Sequence, residues 1–136
     1  MITIVITTRN RPEYIERQLK YYRHQNYSGK IVIGDASDNK NAELNKNNIK
    51  IFKKNLNIEY VSQKNYSVPK SLYELSKTID TEFCVSVADG GFLITANLSM
   101  CTDYLKKNID CSAVHGKALM FSFINEGPYS DAIQSI

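Results

Sequence analysis

The chain opens with Ile2-Thr-Ile-Val-Ile-Thr-Thr-Arg-Asn-Arg-Pro12, an apolar stretch that runs directly into polar residues and a proline. Its β-branched residues favour a buried strand, and the proline suits the first position of a helix. A second strand, Ile31-Val-Ile-Gly-Asp-Ala-Ser-Asp38, ends in acid, and a third, Phe83 to Ala88, is followed by Asp89. Adjacent parallel strands place their carboxyl ends along one edge of a sheet, where open α/β sheets bind ligands. We therefore expect these three strand ends to form one site.

Patterns between these strands predict helices. The apolar spacing after the opening strand indicates a first helix that closes by Gly29, and the segment from Ser67 to Pro69 marks the start of another. A short strand is expected at Ile58 to Val61. The stretch from Asp38 to Lys54, rich in Asn and Lys, is compatible with a ragged helix or with a mobile loop.

The last third of the chain continues this alternation. Phe83 to Ala88 has the length and β-branching of a buried strand, and Leu98 begins a further helical stripe. Ala113 to Phe123 indicates an extended segment interrupted by Gly116. Strands that alternate with helices imply a mainly parallel sheet with right-handed crossovers. The predicted fold is a single α/β domain with a Rossmann-like sheet flanked by helices.

Size and composition fit one globular domain. The chain has 136 residues, 43% of them hydrophobic and 23% charged, which is typical of soluble proteins and too few for two ordinary domains. No segment approaches the ~20 apolar residues that span a membrane, and no signal-peptide pattern opens the chain, so a cytoplasmic location is expected. The net charge is +3 without a basic stripe, and we therefore expect no nucleic-acid partner.

Several kinds of site lack their sequence pattern. The cysteines Cys84, Cys101 and Cys111 show no close pair and no zinc-type spacing, so reduced thiols in the core are expected. Neither of the glycine-rich phosphate-binding patterns, GxGxxG and GxxxxGK[ST], is present. A phosphate group would therefore have to be bound by a cationic side chain or by a divalent metal.

Three motifs follow one another at the predicted strand ends: Thr7-Thr-Arg-Asn-Arg-Pro12, Gly34-Asp-Ala-Ser-Asp38 and Val87-Ala-Asp-Gly-Gly-Phe92. In this order they resemble the first-strand signature, the second-strand acidic turn and the Asp-rich metal motif of family 2 glycosyltransferases with the GT-A fold. The resemblance covers nearly the whole chain, but only the N-terminal, nucleotide-binding half of such an enzyme. It implies a GT-A-like nucleotide-sugar-binding domain over residues 1–136, truncated or minimal, without the acceptor-binding region.

The resemblance also implies a ligand and a reaction. The donor would be a nucleotide sugar, with UDP as the expected nucleotide. A complete enzyme would transfer the sugar to a hydroxyl of a glycan or other acceptor by in-line displacement. In the family a divalent cation, Mn²⁺ or Mg²⁺, joins the diphosphate to an aspartate and stabilises the leaving group. Asp89 is the residue that the resemblance places at this metal.

By the same resemblance, six residues are candidates for the donor site: Thr7, Arg9, Arg11, Asp35, Lys70 and Asp89. Asp35 could accept a hydrogen bond from uracil N3–H, or it could be an Asx-turn aspartate that ends its strand. Thr7 could bond the base or ribose, or be an ordinary strand threonine. Arg9 stands where the family often has an aromatic residue, and its guanidinium could stack on a base and reach phosphate. Arg11 and Lys70 could neutralise the diphosphate or be solvated surface cations.

Two departures from the family bear on catalysis. Family members have two or three neighbouring acids at the metal motif, whereas Asp89 is followed by Gly90 and Gly91. Inverting transfer also needs a base that takes the proton from the acceptor hydroxyl. No catalytic residue is assigned here, because His115 could be that base but a lone histidine in an apolar segment is more often packed in a core. Two alternatives stay open: a non-catalytic module that binds a nucleotide sugar or a partner, and a flavodoxin-like interaction domain.

Overall fold

The computed structural model describes residues 1–125 and 127–134. The chain divides into two compact units, Met1–Thr95 and Ala96–Ile136. The first unit contains, in order, β1 (Ile2–Thr8), α1 (Pro12–His24), β2 (Lys30–Asp35), α2 (Asn39–Phe52), β3 (Asn57–Ser62), α3 (Val68–Ser76) and β4 (Phe83–Ala88). A 3₁₀ turn at Thr95–Asn97 is followed by α4 (Leu98–Lys107), β5 (Phe121–Phe123) and β6 (Ala132–Gln134).

The four strands of the first unit form one parallel sheet in the order β3-β2-β1-β4. β1 lies inside this sheet, so that its residue Ile4 is level with Ile31 of β2 on one side and with Val85 of β4 on the other. The predicted α/β fold class, a parallel Rossmann-like sheet flanked by helices, is confirmed.

Helices cover both faces of the sheet. Ile4 of β1 packs in one cluster with Leu19 of α1 and Phe52 of α2, whereas its neighbour Val5 packs with Leu75 of α3. From β1 the chain adds β2 and then β3 on one side of β1, through α1 and α2. It then crosses back through α3 and adds β4 on the other side of β1. Because parallel crossovers are right-handed, this reversal of direction places α3 on the opposite face.

The larger core lies between the sheet and helices α1 and α2. Its buried residues are Ile4, Ile6, Ile15, Leu19, Tyr22, Ile31, Ile33, Ile49, Phe52, Leu56 and Ile58. Full burial of a large aliphatic side chain contributes about 1.5–3 kcal/mol, so this cluster holds α1 firmly on the sheet. The loop that joins β1 to α1 is thereby fixed at both ends.

The segment after β2 is a helix and not a loop. Asp38, the residue before α2, accepts a hydrogen bond from the Asn41 backbone N–H at 2.9 Å, which is the usual N-cap contact. Ile49 and Phe52 of this helix are buried. The predicted β3 strand and the predicted start of α3 after Ser67 are confirmed as well.

Two burial predictions are wrong. β4 was expected to be buried, but its residues alternate between half-buried and exposed. It is the last strand in the order of the sheet, and α3 packs on β1 and β2. The expected core cysteines are all free thiols, yet Cys84 on β4 and Cys111 are exposed and Cys101 is half-buried.

The second unit differs most from the sequence prediction. Of the extended segment expected from Ala113 to Phe123, only β5 is a strand, because it alone has a pairing partner, the antiparallel β6. His115 is exposed, so its expected core packing is also wrong. No residue at 96–125 or 127–131 is buried.

A membrane-spanning helix was not expected from the sequence. Across residues 1–125 and 127–134, no helix combines the length and the apolar character needed to cross a bilayer.

Candidate functional site

A cavity of about 340 Å³ lies at the carboxyl ends of the parallel strands. It is lined by Thr7, Thr8, Arg9, Arg11, Ala36, Tyr66, Ser67, Val68, Ser71, Ala88 and Asp89. These residues lie at the ends of β1, β2 and β4, directly after them, or at the start of α3. The helices α1 and α3 pack on opposite faces of the sheet, so the direction of winding reverses between β1 and β4. Open α/β sheets bind ligands at such a switch point, and the volume is at the lower end of ordinary ligand pockets.

Asp89, directly after β4, is the carboxylate of the cavity. Its side chain is buried, with the residue only 5% exposed. Oδ2 accepts a hydrogen bond from Thr8 Oγ1 at 2.8 Å, and Oδ1 accepts one from Arg11 Nη1 at 2.6 Å. Both oxygens of the carboxylate are therefore bonded to groups of the β1 end.

Arg11 precedes α1 and forms an ion pair with Asp89. Its guanidinium carbon lies 3.7 Å from the centre of the Tyr14 ring, one turn further along the helix. A guanidinium stacked on an aromatic face in this way keeps its N–H groups directed outward in the plane. Its side chain is 44% exposed, so Arg11 contacts Asp89 while the rest of the group stays accessible.

The cavity carries a net positive charge. Arg9 is exposed and has no hydrogen bond or ion pair with the part of the chain that the structure describes. Together with Arg11 it gives the lining two guanidinium groups against the single carboxylate of Asp89. An anion is the ligand that such a surface favours, because planar guanidinium groups bond carboxylates and phosphates through two parallel N–H donors.

Helix α1 holds the loop after β4 in place. The amide Nε2 of Gln18 donates to the carbonyl oxygens of Ala88 at 2.9 Å and Gly91 at 2.5 Å. Arg17 Nη2 donates to the carbonyl oxygen of Gly90 at 3.1 Å. The backbone around Asp89, in the segment that resembles a metal motif, is thus hydrogen-bonded to α1, the helix that follows Arg11.

Asn10 ties the loops after β1 and β2 together. It has a φ of 56°, a left-handed conformation that asparagine tolerates better than most residues. Its backbone N–H donates to Ser37 Oγ at 2.7 Å, and its Oδ1 accepts from the Asp38 N–H at 2.9 Å. The asparagine of the first motif therefore has a structural function in positioning the neighbouring arginines.

Asp35 does not line the cavity. It is 1% exposed, and its Oδ1 accepts a hydrogen bond from the Ser37 N–H at 2.8 Å, as in an Asx turn. Its Oδ2 accepts from Asn45 Nδ2 at 2.8 Å and from the Tyr60 hydroxyl at 2.9 Å. Burial, followed by the bond to this carboxylate, raises the pKa of Tyr60.

Of the other candidates from the sequence, Lys70 is not a lining residue but contacts one, Tyr66. It is exposed, and its Nζ is 4.1 Å from the centre of the Tyr66 ring. Thr7, Arg9, Arg11 and Asp89, by contrast, are brought together.

Several lining residues were missed by the sequence interpretation. Tyr66 is half-buried and contributes the aromatic surface of the cavity, and Thr8 binds Asp89. The second threonine of the motif could have been found from its position at the end of β1. Tyr66 carries no sequence signal of its own, because its place depends on the packing of the loop before α3.

The side chains of the cavity do not fit a divalent-metal site. Among the described residues of the lining, Asp89 is the one carboxylate, and both of its oxygens are bonded within the protein. Within residues 1–125 and 127–134, no group of three or more His, Cys, Asp or Glu side chains is placed to hold a metal ion.

The chain matches no model of a protein family, and no curated protein matches it either. Its function is therefore inferred from the cavity and the residues around it.

Proposed function

We propose that this chain binds a nucleotide sugar in the switch-point cavity, as the donor-binding domain of a glycosyltransferase-like protein. The observation that carries the proposal is the convergence of Arg9, Arg11 and Asp89 at the carboxyl ends of β1 and β4. The two arginines come from the first of the three motifs and Asp89 comes from the third.

The cavity offers groups for different parts of such a ligand. Arg9 and Arg11 would bind the diphosphate, since phosphate oxygens accept bidentate hydrogen bonds from guanidinium. The half-buried ring of Tyr66 would contact the base, and Thr7 and Ser67 would supply hydroxyl groups for the ribose or sugar. UDP is the nucleotide expected from the resemblance, although Asp35 does not line the cavity.

A non-catalytic binding module is the second candidate function. It is favoured by Gly90 and Gly91, which follow Asp89 where the family has further acids, and by the ion pair that Asp89 forms with Arg11. A module of this kind binds the nucleotide sugar without transferring it. The two candidates therefore differ in turnover and not in binding.

The test is calorimetric titration of UDP into the chain, with Arg9→Gln as the variant and Arg23→Gln as its matched control. Arg9 lines the cavity, whereas Arg23 lies in the last turn of α1 over the Phe52 ring, 4.9 Å from its centre. We expect saturable binding that Arg9→Gln weakens at least about tenfold and Arg23→Gln leaves unchanged, because a hydrogen bond to a charged group contributes about 1.5–3 kcal/mol.

The absence of saturable UDP binding to the folded chain would reject the proposal. Equal weakening by the two substitutions would show a general charge effect and not a site. Incubation with UDP-sugars and a panel of hydroxyl acceptors, followed by chromatography, then distinguishes the candidates. A transferase moves the sugar to the acceptor hydroxyl and releases UDP, whereas a binding module leaves the UDP-sugar intact.

A further inference from the structure

We propose that Arg11 takes the position next to Asp89 that a divalent metal would need, so that this site binds a diphosphate without metal. The inference rests on the proposed nucleotide-sugar site and concerns how its anionic part is held. It would make the ligand class a free diphosphate ester and not its metal complex.

The first argument is the coordination of Asp89. Mg²⁺ and Mn²⁺ bind proteins through oxygen ligands, usually carboxylates. Here Oδ1 is 2.6 Å from Arg11 Nη1 and Oδ2 is 2.8 Å from Thr8 Oγ1. A metal at Asp89 would have to share an oxygen with one of these donors or displace it, and it would lie beside a guanidinium, where two positive charges repel each other.

The second argument is that Arg11 is held where it is. Its guanidinium stacks on Tyr14 at 3.7 Å, and Arg17 stacks on the same ring at 4.8 Å. Rotation of Arg11 away from Asp89 would lose this stack as well as the ion pair. The cation is thus a preorganised part of the site.

The third argument is the capacity of Arg11 for a ligand. A guanidinium has five N–H donors, and the contact with Asp89 uses Nη1. The side chain is 44% exposed, and Arg9 lines the same cavity. Two phosphate groups can therefore each be bonded by an arginine, and Asp89 orients one of the two.

The fourth argument concerns Gly90, where the family has a further acid. A Cβ added to Gly90 would lie 4.0 Å from both Nη atoms of Arg11, an ordinary contact distance. A carboxylate at this position is sterically possible and would place a second negative charge beside Arg11, in addition to that of Asp89. The glycine therefore leaves Arg11 with Asp89 as its described carboxylate partner, and the cavity keeps the net positive charge that Arg9 supplies.

The experiment is calorimetric titration of inorganic pyrophosphate and of UDP into the full chain, each in EDTA and each with Mn²⁺. The variants are Arg11→Gln and Gly90→Asp, with Arg23→Gln and Gly90→Asn as their matched controls. We expect both ligands to bind in EDTA at least as tightly as with Mn²⁺, because Mn²⁺ complexes the free diphosphate. Arg11→Gln and Gly90→Asp should each weaken binding in EDTA about tenfold, whereas the two controls should not.

Pyrophosphate that binds only with Mn²⁺, or in neither condition, would overturn this inference. Unchanged affinity in Arg11→Gln, with its fold verified by circular dichroism, would overturn it too. If pyrophosphate binds in EDTA as expected but UDP shows no saturable binding, metal-free anion binding by Arg11 stands and the proposed nucleotide site fails. UDP that binds only with Mn²⁺ supports the nucleotide site and rejects the role of Arg11.

Discussion

At the scale of single residues, Asp35 shows how the surroundings of a carboxylate decide its use. Three donors, the Ser37 N–H, Asn45 Nδ2 and the Tyr60 hydroxyl, converge on its two oxygens in the interior. Such a buried network is stable only when its donors and acceptors are matched. Asp35 thus connects β2 to α2 and β3 through hydrogen bonds and has a structural function.

We predict that Asp35→Asn lowers the free energy of unfolding by about 2–4 kcal/mol, because the new amide N–H₂ would face donors and leave a buried polar group unsatisfied. Urea denaturation measures this effect. Asp38→Asn is the control, since asparagine is also a good N-cap, and its cost should stay under about 1 kcal/mol.

The UDP affinity of folded Asp35→Asn should remain close to that of the original chain. An unaltered stability together with a lost UDP affinity would contradict this prediction. That result would indicate that Asp35 binds the nucleotide, as the resemblance implies.

The two acids at strand ends could not be told apart from the sequence. Asp35 and Asp89 both follow an apolar strand, yet the first is enclosed by its neighbours and the second lines the cavity. The difference depends on Asn45 and Tyr60, which lie 10 and 25 residues further along the chain. The sequence motifs predicted correctly that both acids lie at the same edge of the sheet. They did not predict the side chains that enclose Asp35.

At the scale of elements, α3 packs closely against the sheet at Gly34 of β2. A Cβ added there would lie 2.7 Å from Leu75 Cδ1 and 2.9 Å from Ser71 Oγ, and would also clash with Gln63. The Ser71 hydroxyl bonds the Gln63 side chain, and both residues are buried. The position of α3, and of the cavity wall that it starts, therefore depends on the absence of a side chain at Gly34.

We predict that Gly34→Ala lowers the free energy of unfolding by about 1–3 kcal/mol, the usual cost of overpacking a core. The control is Gly116→Ala, where an added Cβ meets no atom within 4 Å and the change should stay within about 0.5 kcal/mol. Thermal and urea unfolding of both variants give the comparison. Equal stability of the two variants would show that α3 can shift at little cost.

Periodicity predicted the elements of the first unit well, since β1 and α1 have clear apolar patterns. It failed for the exposure of β4, because a run of apolar residues does not show whether its strand lies inside a sheet or at the end of the order. For Asp38 to Lys54 it left two alternatives, and the buried faces of Ile49 and Phe52 favoured the helix.

At the scale of the whole molecule, several tyrosines make the free energy of unfolding depend on pH in the alkaline range. Burial raises the pKa of Tyr27 above its ordinary value of 10.0 to about 12, and it raises the pKa of Tyr22 and Tyr60 as well. Hydrogen bonding to Glu59 raises the pKa of Lys30. In each case the unfolded chain loses its proton at a lower pH than the folded one.

We therefore predict that the free energy of unfolding is constant up to about pH 9 and falls as the pH rises from about 10 to 12. Each tyrosine that stays protonated only in the folded state contributes up to about 1.4 kcal/mol per pH unit to this fall. Urea denaturation across this range measures it. Tyr27→Phe should make the decrease shallower, and a stability that rises with pH in this window would refute the assignment.

Among the four strands of the parallel sheet, β1 is synthesised first and β4, which pairs with it, is synthesised last. The register joins Ile2 to Phe83 and Thr7 to Ala88, so about 80 residues must be translated before the edge of β1 that faces β4 is paired. At about 5–20 residues per second this takes on the order of ten seconds. An apolar strand with an open edge is prone to join other chains. The nascent chain is therefore expected to be most prone to aggregation, and most dependent on chaperones, until β4 has emerged.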